Sequence, residues 1–404
     1  MDTTGRNQFS IDYRFKIIYA VAIMMVVGGH CSGGGLLFDF SGWFPYYDLH
    51  LALFLFCSGY FYKSSAEDAV KNYILKKIKH LIVPLYIYNF AYGIIVKLLR
   101  LKDFKIGKSQ LNIQTLFILP ITTGHQFMYN LGAWFVIPLF MIEIYNVIFR
   151  KAIKKIKIPE YIFFIINIAI GLIGNYIAYK GYNTGWWLVL VRMMHLIPYY
   201  GLGIFYKRCL EKYERRIPAR YIFFFIFVIK LFAILTGRNQ QFSAAWCNDF
   251  PRHPFIPIVL VYIGILFWMR LATILEPAIG KNKYLNLIAD NTYSIMTNQI
   301  IFFMLVKTCF AVISKYTNHF TAFDWHKYKT DIWYYFIPND IFQLGIIYLI
   351  AGITGPILLQ LAINRGKVFV LRLMHKHHVD NSHKRLGGVN ARDVFVDAAV
   401  GTVD

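Results

Sequence analysis

The sequence predicts an all-α fold, a polytopic membrane helix bundle with about ten transmembrane helices. Three observations predict it. Hydrophobic residues make up 57% of the chain and charged residues only 16%, where a soluble chain carries about a quarter charged. Apolar stretches of about 20 residues, the length needed to cross hydrocarbon, recur along the whole sequence. Aromatic residues reach 18%, as expected where rings collect in belts at two interfaces.

The first span is expected over 15–32 and ends in Gly28-Gly29-His30-Cys31. It has no small-x-small cleavage site, so it stays as a helix rather than leaving as a signal peptide. The second, 46–63, contains Ser58-Gly59, which in a membrane helix reads as a packing notch or a kink. Spans follow at 81–99, 131–149 and 161–180, then at 186–206, 218–236, 254–273, 290–313 and 341–363. The second, sixth and ninth are the least uniformly apolar. The segment 114–122 is too short to span and reads as re-entrant or interfacial. The chain thus divides into an N-terminal segment 1–14, one membrane domain 15–365 and a basic, polar tail 366–404.

A net charge of +22 could suggest nucleic acid, but the basic residues fall in short clusters between apolar runs. These are Lys71, Lys76, Lys77 and Lys79, then Arg150 to Lys157, then Lys207 to Arg220. Charge in that pattern orients helices, so no nucleic-acid partner is expected. An N-terminus in the cytoplasm places most of the 43 Lys and Arg on that side. The positive-inside rule then requires an even number of spans, with both termini cytoplasmic in a multi-pass protein of a cell membrane. The loop from Lys97 to Lys108 is the basic exception on the outer side.

The five cysteines are odd in number and form no CxxC pair, so they read as small buried hydrophobes. The tail holds His375-Lys376-His377-His378. A His-rich tract binds metal only with a defined cluster, and none accompanies it, so no metal is expected. No inverted repeat is visible, which argues against a secondary transporter.

The first helix carries the most chemistry. At about 100° per residue, His30 falls within about 20° of Tyr19, 40° of Lys16 and 0° of Asp12. This polar stripe on an apolar helix must face the bundle interior. Lys16 and His30 lie about 21 Å apart along the axis, near opposite ends of the span. An imidazole titrates close to neutrality and suits proton transfer. The alternative is a structural histidine bonded to a neighbouring helix. Gly28 and Gly29 remove bulk where a substrate would approach. In the second helix His50 sits at the outer end and Ser58 deeper. No GxSxG elbow surrounds Ser58, which argues against a serine nucleophile. Further intramembrane polar groups are Trp134 in NLGAWF, Arg192 and His195 three residues apart on one face, Lys230, and Asn298 with Gln299.

These segments resemble the membrane-bound acyltransferase family 3, bacterial surface-polysaccharide O-acyltransferases and their relatives. The resemblance rests on VAIMMVVGGHC, HLALFLFCSGYFY, KKIKHLIVPLYIY, GAWFVIPLF, IPYYGLGIFYKR and NTYSI, in that order over residues 12 to about 365. It implies ten membrane helices, an acyl-CoA donor from the cytoplasm, usually acetyl-CoA, and an acceptor hydroxyl on a glycan at the outer face. It implies His30 as the catalytic residue. The basic residue that the family carries eleven positions earlier is Tyr19 here, with Lys16 one turn nearer the cytoplasm as its substitute. The donor side is then expected to comprise Lys16, Tyr19, Lys76, Lys77 and Arg192, with the Lys71–Lys79 stretch drawing the CoA phosphates by charge. The acceptor side comprises His50, Ser58, Trp134, His195, Asn298 and Gln299. The rival expectation is a transporter or flippase with the same buried polar groups and no covalent step. A polymerase or ligase of lipid-linked sugars ranks third, because the longest outer loops are rich in aromatics and Lys rather than in acidic or Arg-rich sites.

Overall fold

The computed structural model describes residues 11–31, 49–239, 242–317 and 319–385. Among these residues fifteen α-helices follow one another. They are α1 (Tyr13–His30), α2 (His50–Tyr60), α3 (Val70–Lys77), α4 (Val83–Arg100), α5 (Leu119–Thr122), α6 (Val136–Ile153), α7 (Glu160–Tyr179) and α8 (Gly185–Phe205). Next come α9 (Glu211–Glu214), α10 (Ala219–Leu235), α11 (Phe255–Ile279), α12 (Lys283–Asp290), α13 (Thr292–Tyr316), α14 (Trp325–Thr330) and α15 (Ile346–Arg385). Among the described residues there is no β-strand; one isolated bridge joins Ser243 to Asn248. The protein is an all-α membrane bundle.

Local chemistry sets the ends of these helices. Asp12 caps α1, its carboxylate accepting from the Arg14 backbone N–H at 3.2 Å, which satisfies one of the orphan donors of a helix start. Asn282 caps α12 in the same way, accepting from Tyr284 and Leu285. A π-helical turn, Ile78–Ile82, joins α3 to α4 just before Pro84, whose ring carries no N–H to continue a regular ladder.

Among the described residues, seven helices are long and apolar enough to cross a membrane: Val70–Arg100, Leu131–Ile156, Glu160–Tyr179, Gly185–Glu214, Phe255–Ile279, Thr292–Tyr316 and Phe342–Phe369. They match seven of the ten expected spans. The other three have identifiable reasons for differing. Helix α1 has 18 residues but carries Arg14, Lys16 and His30 at its ends. Helix α2 has 11, and the expected span began at 46–48, outside the described residues. Helix α10 has 17, about 26 Å at 1.5 Å per residue. The segment 114–122 forms a π-turn followed by α5, too short to span. Side chains such as Ile165, Phe224, Phe225, Phe232 and Val259 face outward, all more than a third exposed. A soluble surface rarely carries so much contiguous apolar area; hydrocarbon accepts it.

The chain divides into a compact unit, residues 1–357, and the remainder from Leu358. In the first unit α1 is the central helix, packed against α2, α11, α12 and α13. Ala20, Ala22, Ile23 and Val27 are sealed from solvent. Helix α8 packs against α2, α6 and α7. Its closest approach is to α2: a Cβ at Gly59 would stand 2.0 Å from the Tyr200 carbonyl oxygen, and one at Gly203 2.0 Å from the Phe56 carbonyl oxygen. The Ser58-Gly59 notch is therefore a packing contact, as small residues in membrane helices usually are. Charged pairs gather at the end of the unit where α1 begins. Arg14 meets Asp12 and Glu211, Lys77 meets Glu143 at 2.6 Å, and Glu160 takes both Arg150 and Arg208. In the second unit the described chain is the continuation of α15, where Gln360 donates to Asn364 one turn on, at 2.9 Å. Of the expected tail, 386–404 lies outside the described residues, and so do the side chains of the His375–His378 tract.

Candidate functional site

A cavity of about 140 Å³ opens at the C-terminal end of α1. Helix α1 contributes His30 and Val26, α2 contributes His50 and Leu51, and α13 contributes Met296. Three connecting segments close it. The stretch between α5 and α6 supplies His125 and runs on to Trp134, the chain before α11 supplies Ala244 to Trp246, and the chain before α15 supplies Trp333.

His30 stands in the wall of this cavity. Its ring centroid lies 6.0 Å from that of Trp333, and Gln299 reaches the ring. His30 Nδ1 and Gln299 Oε1 are both buried and have no hydrogen-bond partner among the described residues. Buried polar atoms are normally satisfied, so His30 Nδ1, in a side chain that lines the cavity, retains hydrogen-bonding capacity with respect to the described residues. The His30 main chain is held independently of its ring, the Tyr335 hydroxyl donating to the His30 carbonyl at 2.5 Å.

Two buried cations without carboxylate partners among the described residues hold the closing segments. Arg192, on α8, is 1% exposed. Its guanidinium donates to the carbonyls of Thr122 and Thr123 at 3.3 and 3.2 Å and to Ala245 at 2.8 Å from Nε. Its plane lies 4.5 Å over the Trp134 ring. Lys307, on α13, is also 1% exposed. It donates to the Ile332 carbonyl at 2.8 Å and sits 5.0 Å over the Tyr335 ring. Carbonyl dipoles and π faces thus replace counter-ions in stabilising these charges. As a result the backbones carrying His125, Trp246 and Trp333 are tied to the helices.

His125 stacks on Trp246 with centroids 4.4 Å apart and its Nδ1 meets the Thr123 carbonyl at 2.6 Å. Burial, and then the nearby Arg192 charge, pushes its imidazole down to about 4. It is neutral at pH 7. Between its ordinary value near 6.5 and 4, the unfolded chain holds a proton that the folded chain does not. Stability contributed here is whole above about pH 6.5 and falls with acidification by about 1.4 kcal/mol per unit. His125→Gln is expected to flatten the fall in melting temperature between pH 7 and 5. Equal slopes for both proteins would remove His125 from the account.

The structure brings His30, His50 and Trp134 to the cavity wall, with Gln299 buried against His30 rather than in the lining, and sets Arg192 behind Trp134. It does not bring the rest. His195 is wholly buried, Nδ1 2.8 Å from Asn175 Oδ1 and edge-on to Phe242 and Phe250. Asn298 accepts from the Tyr92 hydroxyl at 2.8 Å and donates to Ser294. Ser58 lies on α2 away from the cavity wall. On the expected donor side, Lys16 is ion-paired with Asp290 and Tyr19 packs on Phe54 at 5.8 Å. Lys77 pairs with Glu143, while Lys76 is exposed. Lys230, the other intramembrane cation named from the sequence, donates to Asn239 at 2.6 Å. The sequence reading missed His125, Trp246 and Trp333, which sit in connecting segments without periodicity. It also missed Lys307, whose signal was a lone Lys in the apolar run of α13.

A family described as an acyltransferase domain matches the chain over residues 13–365. Comparison with curated proteins and with solved structures returned no match.

Proposed function

This chain belongs to that acyltransferase family, and on this premise we propose that it moves an acyl group, acetyl in the simplest case, from cytoplasmic acyl-CoA to a hydroxyl of a surface or lipid-linked glycan. The observation that carries this reading is His30, whose buried Nδ1 has no hydrogen-bond partner among the described residues, in the wall of an aromatic-lined cavity. His30 takes the proton of the acceptor hydroxyl as that oxygen bonds to the thioester carbonyl carbon. The tetrahedral intermediate then expels sulfur, the C–S bond breaks, and the imidazolium returns its proton to the leaving thiolate. An ester and a free thiol result. A neutral imidazole in this role contributes about 10² to 10⁴ in rate.

The cavity suits a sugar. Trp246 and Trp333 offer flat apolar faces for ring C–H groups, and the imidazoles of His30 and His125 line the same space as polar groups for hydroxyls. On this reading the protein lies in a bacterial inner or plasma membrane, and its Lys and Arg distribution supports an orientation with both termini cytoplasmic. The donor enters from that side, where Lys76 and its neighbours draw the phosphates by charge. Purified protein in nanodiscs, given radiolabelled acetyl-CoA and a glycan extract, is expected to place base-labile label in the glycan. Glycan flux into vesicles with no label transferred from any acyl-CoA would overturn this reading in favour of a transporter.

A further inference from the structure

A second cleft lies at the opposite end of α1. Arg14 is 16 residues before His30, about 24 Å along a helix. This cleft has a volume of about 350 Å³, and its walls come from the start of α1, Tyr60 at the end of α2 and the 207–215 segment after α8. Five cations line it: Arg14, Lys207, Arg208, Lys212 and Arg215. Two carboxylates do, Asp12 and Glu211.

The carboxylates are already engaged. Asp12 takes Arg14 at 2.5 Å. Glu211 takes Arg14 at 2.8 Å, Arg215 at 2.6 Å and the Tyr60 hydroxyl at 2.9 Å. Arg208 is shared with Glu160 and Ser64 outside the cleft. Positive charge and donors remain in excess. Arg14 is 3% exposed, yet its Nη1 is buried with no hydrogen-bond partner among the described residues. Lys207 and Lys212 have no carboxylate partner among those residues and lie 4.8 Å over the rings of Tyr60 and Tyr213.

Charges that only orient helices need no buried, unsatisfied guanidinium donor, because water solvates them at the interface. A buried arginine with a spare N–H beside two uncommitted ammonium groups fits a compact anion with several acceptor oxygens and more than one negative charge. We propose that this cleft binds a phosphate-bearing group, with Arg14 as its fixed donor and Lys207 and Lys212 as its mobile counter-charges. A soluble pyrophosphate-containing molecule and a phospholipid headgroup share that chemistry. The assignment does not rest on acyl transfer, since binding is measured without a donor or an acceptor.

The test uses the full chain in phosphatidylcholine nanodiscs at low salt, where exposed ion contacts are least screened. Wild type is compared with the Lys207→Gln/Lys212→Gln double variant, whose substituted side chains are exposed and dispensable for packing. Arg14→Gln is a second variant, interpreted only if its melting temperature is kept. Calorimetry with inorganic pyrophosphate is expected to show binding that weakens at least about tenfold in the double variant, a loss of about 1.4 kcal/mol. That result assigns the site to a soluble ligand. If pyrophosphate does not bind, but wild type retains phosphatidylglycerol from mixed-lipid nanodiscs in native mass spectrometry and the double variant does not, the ligand is a headgroup. Absence of both, or binding unchanged in the double variant, overturns the proposal.

Discussion

His30→Ala is expected to lower acyl transfer at least about 100-fold, the lower end of what a general base contributes, with yield and melting temperature nearly unchanged. The two halves of this expectation have separate causes. The activity falls because the imidazole is the proposed proton acceptor in the cavity wall. The fold survives because the side chain borders an existing cavity and has no hydrogen bond at Nδ1 to lose among the described residues. The α1 terminus stays anchored through the His30 carbonyl and Tyr335. His50→Ala is expected to be milder, as an acceptor-side change, and Ser58→Ala milder still. Residual turnover above about a tenth of wild type in His30→Ala would exclude general-base catalysis by this residue. A parallel loss of melting temperature would instead make His30 structural.

Gly203→Ala carries the largest expected effect on the fold. The new methyl would stand 2.0 Å from the Phe56 carbonyl oxygen and 2.7 Å from the Tyr60 backbone nitrogen. Both obstacles are main chain of α2, so no side-chain rotation relieves them, and α2 and α8 must separate. Overpacking a tight core costs about 1–3 kcal/mol, occasionally more, and a backbone clash belongs at the top of that range. Membrane helices held by small-residue contacts also lose their dispersion energy together once the gap opens. The expected readout is a large drop in melting temperature and in monodisperse yield. Gly366→Ala is the matched control: a Cβ there meets nothing within 4 Å, and alanine is the better helix former by about 1 kcal/mol. Equal behaviour of the two variants would show that the α2–α8 contact yields easily.

Particular residues show how much of the site was legible. His30 was legible because its signal is local, a polar stripe on an otherwise apolar helix that ends beside two glycines. His50, Trp134 and Gln299 were legible for the same reason, as polar or aromatic breaks in apolar runs. His195 was misleading. It shares a helix face with Arg192, but Asn175 of α7 takes its Nδ1, and no spacing within α8 reveals a partner on another helix. The basic Lys207 to Arg215 stretch was visible as charge. Its closing of a cleft with Arg14 was not, because that contact spans 197 residues.

The sequence by itself determined the class of this protein: apolar runs of spanning length force helices, since lipid leaves backbone groups no partner outside a helix. It also determined which helix carries the reacting histidine candidate and where the family match lies. Only the tertiary structure decided what surrounds that histidine. The pinning of the 122–125 and 245 backbones by Arg192, and of 332 by Lys307, uses carbonyl oxygens that every residue possesses, so no side-chain pattern announces it. The seating of Trp246 and Trp333 follows from that pinning. Carbonyl acceptors carry no sequence signature, and their selection by a buried cation is settled only when helices distant in the chain pack together.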